Sequence, residues 1–300
     1  MRLLAAAALT GVMAAAPANA ADIALLKSSD VPAWRPAIEA LRRTASGHTF
    51  TEYDLRGDRS AADSILGGFR GRPVVVVTFG NLAAQAARAV LPDAPLVFAM
   101  VQDPAKIGLA PAPGVTGVAF GIPVKNQIAA FRSVNPRGVR IGVLFNPGNS
   151  AGQVEEAEKA ASLLRVAIVS RPVTTVAEIP PALRALLTGD TVDAIWMPAD
   201  PLLLGDETRR FVLAEATKAG KPVYAFSASV VAEGALVSNG PDFASIGQQA
   251  GELVNRLAAG DRSKIEITVP RAELVINSRI AGKLKIQVPP ETLKAAGKVL

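Results

Sequence analysis

The chain has 300 residues, half of them hydrophobic, with 5% aromatic and 19% charged. That is apolar material for about two ordinary lobes, and it excludes a disordered chain. The formal charge of +6 is dispersed: its densest pairs, Arg42-Arg43 and Arg209-Arg210, are flanked by apolar or acidic residues, so no nucleic-acid surface is expected. With no cysteine and one histidine, His48, the sequence excludes disulfide scaffolds, thiolate chemistry, a lipid anchor on an N-terminal cysteine and zinc sites built on several imidazoles.

Residues 1–20 read as a cleavable export signal. Met1-Arg2 gives a positive start, Leu3 to Ala16 an apolar run too short to span a bilayer, and Ala18-Asn19-Ala20 a small-residue cleavage site. Cleavage is expected after Ala20, and no later segment has the length and polarity of a membrane helix. A soluble periplasmic chain follows, neither membrane-inserted nor lipid-anchored.

Beyond the signal, apolar β-rich runs alternate with segments of helical spacing. Ile23 to Leu26 reads as a strand, followed by a helix with Trp34, Ile38 and Leu41 on one face. Val74 to Phe79 reads as a strand covered on both sides, then come an alanine-rich helix from Asn81 to Val90 and a strand from Leu96 to Val101. The alternation resumes after Pro123: helix 124–134, strand 141–145, a helix starting near Ser150, strand 166–169, helix 178–187, strand 194–197, helix 206–219 and strand 223–226. Helix 243–258 and two short strands, 265–269 and 273–277, close the pattern. The expected class is α/β, with two doubly wound parallel-sheet lobes and a hinge of several strands.

In such sheets ligands collect beyond the carboxyl ends of the strands, where helix N-termini also point. The residues expected there are Ser28 and Ser29, Gly80 and Asn81, and Asp103 in the first lobe. In the second lobe they are Asn146 and Ser150, Asp200, and Ser227. These short hydroxyl, amide and carboxylate groups suit a small polar ligand. Helix amides would meet a carboxylate, and Asp103 or Asp200 would balance an ammonium. Each of them serves equally as a helix cap. Trp34 has two readings: stacking on a planar ligand, or stapling its own helix. Trp196 reads as core and His48 as a surface loop residue. No Walker A, G-x-G-x-x-G or H-E-x-x-H is present, so neither an enzyme, a cofactor nor a metal is expected.

The sequence resembles the ABC transporter substrate-binding proteins of the group that includes tryptophan-binding lipoproteins. The resemblance is carried by Ile23-Ala24-Leu25-Leu26-Lys27-Ser28-Ser29, Val77-Thr78-Phe79-Gly80-Asn81-Leu82, Val97 to Pro104, Gly114 to Val118, Val143-Leu144-Phe145-Asn146-Pro147, Pro222 to Phe226, and Gly234 to Asp242. Leu274 to Asn277 and Ile286 to Pro290 complete it. It implies a type I periplasmic-binding-protein fold, a Venus-flytrap with three crossovers. The first lobe would be 22–120 plus 242–262 and the second 121–241 plus 263–286, with 287–300 as a tail packing back. It also implies a ligand site at Ser28, Ser29, Gly80, Asn81, Asp103, Asn146, Ser150, Asp200, Ser227 and Asn239. The partners implied are an ABC permease and its ATPase, with the chain itself a monomer. The group's lipobox cysteine is missing, and its Leu-Gly-Ile pattern stands here as Leu284-Lys285-Ile286.

The functional expectation is a periplasmic substrate-binding component of an importer, taking a small polar or zwitterionic ligand, with aromatic and other amino acids among the candidates. A ligand sensor for a membrane receptor is the alternative, and an enzyme on the same scaffold is a third reading.

Overall fold

The computed structural model describes residues 20–101, 103–189 and 191–300. Gln102, Asp190 and the segment expected to be an export signal, apart from Ala20, lie outside them. The chain opens with β1 (Asp22–Lys27), α1 (Arg35–Thr44), β2 (Thr49–Asp54), α2 (Ala61–Leu66), β3 (Val75–Phe79), α3 (Asn81–Val90), β4 (Leu96–Val101) and β5 (Val115–Ala119). These strands form an all-parallel sheet in the order β2-β1-β3-β4-β5. The central strands β1, β3 and β4 are almost continuously apolar because both faces are covered, whereas the edge strand β2 is polar and partly exposed. Ile23, Leu25, Val75, Val77 and Phe79 pack under α1, while Ala24, Leu26 and Val76 pack under α2 and α3.

The chain then builds α4 (Val124–Val134), β6 (Arg140–Phe145), α5 (Pro147–Leu164), β7 (Ala167–Pro172), α6 (Ile179–Leu187), β8 (Ala194–Met197), α7 (Pro201–Leu204), α8 (Asp206–Lys218), β9 (Val223–Ala225), α9 (Ala228–Glu233) and β10 (Val237–Pro241). It returns to the first lobe as α10 (Phe243–Ala258), then completes the second sheet with β11 (Ala272–Ile276), α11 (Ser278–Lys283), α12 (Pro290–Ala295) and β12 (Lys298–Val299). The second sheet runs β12-β11-β10-β9-β8-β6-β7. Its pairs are parallel except β10 with β11. That antiparallel pair arises because β11 enters from the hinge end by which β10 leaves. Trp196 and Tyr224 are fully buried with α4 and α5 on one face, and α6, α8 and α9 cover the other.

α10 belongs to the first lobe because glycines let it sit almost on the backbone of α1. A Cβ at Gly247 would lie 1.9 Å from the Ala37 carbonyl oxygen, and one at Gly251 2.6 Å from Thr44 Cβ. The i, i+4 spacing puts both glycines on one helix face.

Three crossings join the lobes: Phe120–Pro123, Pro241–Asp242 and Pro270–Arg271. They lie side by side, with the Phe120 and Phe243 rings 5.8 Å apart and Asp242 N donating to the Arg271 carbonyl at 2.9 Å. The segment 265–269 is not a regular strand. It runs beside β5, with Ala119 N donating to Thr268 O at 2.9 Å and Thr268 N to Gly117 O at 3.0 Å. It therefore packs on the first lobe, and the boundary expected at 262/263 moves to the third crossing. The C-terminal residues pack on the second lobe, where Thr292 Oγ1 donates to Ser133 O at 3.1 Å and β12 pairs with β11.

β5 and β10 both leave their sheets from their carboxyl ends into the crossings. The carboxyl edges of both sheets therefore border the hinge, and the ends of β1, β3, β4, β6, β8 and β9 share that side.

Candidate functional site

On the first lobe, Ser28, Trp34 and Gly80 form one cluster. β1 and β3 pair up to Lys27 and Phe79, and Ser28 N donates to Phe79 O at 2.9 Å. Gly80 is the residue before α3, with φ +89° and ψ 164° and no side chain to cap the helix. Ser28 Oγ does that work from the neighbouring strand, accepting from Ala83 N at 2.9 Å. The amides of Asn81 and Leu82 remain at the helix start, beyond reach of any intrahelical carbonyl. Trp34 ends a short 3-10 turn, Pro32–Trp34. Its ring reaches away from its own helix, with its centroid 6.2 Å from that of Phe79 and its Cη2 so close to Gly80 that a Cβ there would lie 2.9 Å away. Trp34 is half-buried, so it forms an apolar wall beside the α3 amides.

The loop that carries Ser28 and Ser29 is pinned by a network not foreseen in the sequence. Lys27 Nζ lies 2.7 Å from Asp30 Oδ1 and 3.0 Å from Glu52 Oε1, and Glu52 Oε2 lies 2.7 Å from Arg42 Nη2. Burial alone would lower the Lys27 pKa, but its bonds to Asp30 and Glu52 outweigh this and raise it above the ordinary lysine value. The Lys27 hydrogen bond in turn lowers the pKa of Asp30. The only trace in the sequence is a lysine closing an apolar strand.

Asp103 stands apart from this cluster. It pairs with Lys106 at 3.1 Å, and that hydrogen bond lowers its pKa. It follows a β-bulge at Met100, whose φ is +57° and which shifts the β4–β5 register. The bulge seats Ala99 and Met100 in the same core and returns Val101 to the opposite face.

On the second lobe the predicted residues divide into rim and support. Asn146 caps α5, its side chain accepting from Gly148 N at 2.9 Å. Ser227 precedes α9, with its Oγ 2.9 Å from Ser229 Oγ. Both are partly exposed at strand carboxyl ends. Asp200 is fully buried and accepts two backbone bonds, from Asn146 N at 2.7 Å and Leu202 N at 2.9 Å. It clasps the β6–α5 and β8–α7 junctions together, so the ammonium-balancing role considered for it has no geometric support. Ser150 is also buried, at 1% exposure. Asn239, 8% exposed, donates from Nδ2 to Asn126 O at 3.3 Å and ties β10 to α4 beside the hinge. Tyr224 is buried, its ring stacked on Phe131 and its hydroxyl accepting from Asn135, whereas Phe226 is half-buried near Ser227.

The side groups brought to the carboxyl edges are thus Ser28, Ser29, Trp34, Gly80 and Asn81 on one lobe and Asn146 and Ser227 on the other. These groups comprise helix amides, hydroxyls, side-chain amides and one indole, which can hydrogen-bond to and stack on a small polar molecule. A concavity of about 1070 Å³ lies elsewhere, lined by Asp22, Arg72, Val75, Val90, Pro92 and Leu257. It sits at the amino ends of β1 and β3, on the side of the sheet away from the strand carboxyl ends, with Arg70, Arg72 and Arg262 beside Asp22 and Asp93 in its wall.

The sequence model of one family, described as ABC transporter substrate binding protein, matches residues 54–300. A tyrosine-binding protein from Clostridioides difficile (strain R20291) is 26% identical over 245 residues, which cover 78% of this chain and 70% of that protein. Among solved structures, the chain resembles an ABC domain in complex with L-Trp from Streptococcus pneumonia, with TM-score 0.70 and 24% identity. That match covers 94% of this chain and 100% of the other. It also resembles the ligand-free, open structure of a substrate binding protein with adhesive properties from Clostridium difficile, with TM-score 0.82 and 20% identity, covering 93% and 99% of the two chains. These structural likenesses establish the fold.

Proposed function

We propose that this chain, which belongs to the ABC transporter substrate binding protein family, binds a free amino acid with an aromatic side chain between its lobes and delivers it to a membrane permease. The observation that carries the proposal is the Ser28–Trp34–Gly80 cluster at the start of α3. It places an indole wall for a planar side chain beside helix amides for a carboxylate. The partly exposed oxygens of Asn146 and Ser227 on the second lobe are available to the ammonium. The binding of tyrosine and L-Trp by relatives of the chain supports the aromatic choice.

Closure about the three crossings brings the second-lobe groups onto a ligand held by the first lobe. The ligand shifts the population toward the closed form, which is the form the permease reads. Removal of residues 1–20 leaves the chain in the periplasm, where it acts as a monomer.

A thermal-shift panel of amino acids, small carboxylates, sugars and purines tests the reading on the chain starting at Ala21. A ligand at about 1,000 times its Kd adds roughly 4 kcal/mol to stability. The expected result is a rise in Tm for L-tyrosine or L-tryptophan and none for sugars. A response confined to sugars or purines would overturn the assignment.

A further inference from the structure

The chain's single histidine does not sit free in a surface loop. His48 is half-buried just before β2 and has partners from two other parts of the first lobe. Its Nδ1 lies 3.2 Å from the backbone nitrogen of Ala21, which donates to it, and its Nε2 lies 3.1 Å from Asn255 Oδ1 on α10. Asn255 Nδ2 donates onward to the carbonyl of Thr44, the last residue of α1, at 3.2 Å. With its NH₂ spent on Thr44, Asn255 turns its carbonyl oxygen to the ring. Nε2 then carries the imidazole proton and Nδ1 is left as an acceptor. Thr49 N donates to Ala21 O at 3.0 Å and fixes the position of that residue along the sheet edge.

Ala21 is the residue that the small-residue site Ala18-Asn19-Ala20 would leave at the head of the processed chain. In the precursor its nitrogen is a peptide N–H with one proton and no charge. Hydrolysis of the Ala20–Ala21 bond gives the Ala20 carboxylate and an Ala21 amine, which takes up a proton from water to become an ammonium. The bond to Nδ1 then becomes charge-assisted, roughly twice as strong as a neutral one.

We propose that His48, held by Asn255 and Thr44, is a capture site for the α-ammonium of the chain cut between Ala20 and Ala21. Processing thereby fastens the start of β1 to α10, the helix that returns from the second crossing. The register is demanding, because one residue along a strand moves the amine by about 3.3 Å, beyond hydrogen-bond reach of Nδ1. The proposal rests on the reading of residues 1–20 as a removable signal and is independent of the identity of the ligand in the cleft.

The experiment expresses the full-length precursor in a bacterium, recovers the exported chain and measures its intact mass and Tm. It does so for the natural sequence and for a version with Gly-Ser inserted between Ala20 and Ala21, each with His48, His48→Ala or His48→Asn. The expected mass begins at Ala21 in the natural sequence and at the inserted Gly in the other. With His48, the chain beginning at Ala21 melts about 2–4 °C above the extended one. The gap closes with His48→Ala and partly returns with His48→Asn, whose side-chain oxygen can stand in for Nδ1. A mass that still includes residues 1–20, or a cut at another bond, overturns the export register. An equal gap in the His48 and His48→Ala backgrounds, or no gap with His48, overturns the capture site.

Discussion

Gly80→Ala places a methyl group where the candidate site is tightest. The backbone there has φ +89° and ψ 164°, a region that is essentially glycine-only and costs other residues about 1–3 kcal/mol. The new Cβ would also lie 2.7 Å from Ser28 Oγ, 3.1 Å from Ser28 Cβ and 2.9 Å from Trp34 Cη2. Relieving that crowding pushes Ser28 off Ala83 N, a bond worth about 1 kcal/mol, and turns the indole out of its place. The sum is roughly 2–4 kcal/mol, or a fall in Tm of about 5–10 °C. Gly220→Ala is the control, since Gly220 has φ +72° but nothing within 4 Å of an added Cβ. It incurs the backbone cost alone, about 1–2 kcal/mol. Thermal melts and calorimetric titration with the amino acid that responds in the panel read both effects. Gly80→Ala is expected to weaken binding at least about tenfold, equivalent to 1.4 kcal/mol, while Gly220→Ala leaves affinity unchanged. If Gly80→Ala bound as tightly as the natural chain and melted no lower than Gly220→Ala, the Ser28–Trp34–Gly80 cluster would not be the ligand wall.

Asp200→Ala removes the buried carboxylate to which the partly buried amides of Asn146 and Leu202 donate. It is expected to cost about 2–5 kcal/mol in urea unfolding, and a loss below about 1 kcal/mol would contradict the clasp. Lys285 holds a left-handed backbone with φ +55°. Lys285→Gly removes about 1–2 kcal/mol of strain and gives back part of it as unfolded-chain entropy, so a Tm rise of about 1–2 °C is expected, and a fall would refute the strain. Asp261 is held down to about 2 from its ordinary 3.8 by hydrogen bonds from Ser263 and then Arg256. A carboxylate depressed in the folded state stabilises above its unfolded pKa and loses that contribution as pH falls through the folded one. The Tm deficit of Asp261→Asn at pH 7 should therefore shrink between about pH 4 and pH 2, and a deficit independent of pH would contradict it.

Much of the architecture was legible because strands covered on both faces and amphipathic helices write different periods into a sequence. The α3 helix, Asn81–Val90, and β4, Leu96–Val101, run between the residues expected for them. α5 starts at Pro147 rather than near Ser150, because proline fits the first helical position and Asn146 caps it. Ile265 to Val269 alternates like a strand but makes only isolated bridges through Lys264 and Thr268, since the hinge leaves it beside β5 for a few residues before Pro270. Val237 to Pro241, for which no strand is expected from its Asn-Gly-Pro sequence, is a strand because β9 and β11 pair with it on either side. At the site, strand-end position located the residues but could not separate rim from support. Asp200 and Asn146 both look like helix caps in sequence, and only the fold shows two amides converging on one buried carboxylate. The Lys27–Glu52 and His48–Ala21 contacts join residues distant in the chain, so no local pattern announced them.

Small-angle scattering with and without L-tyrosine or L-tryptophan tests the central claim most directly, because it reads closure of the two lobes on a ligand. Natural chain saturated with the amino acid should show a smaller radius of gyration than free chain, and Trp34→Ala at the same ligand concentration should show little or no change. An unchanged radius in a natural chain that calorimetry shows to be saturated would contradict closure as the mechanism. Compaction that persists in Trp34→Ala at an unaltered Kd would contradict the place assigned to the ligand.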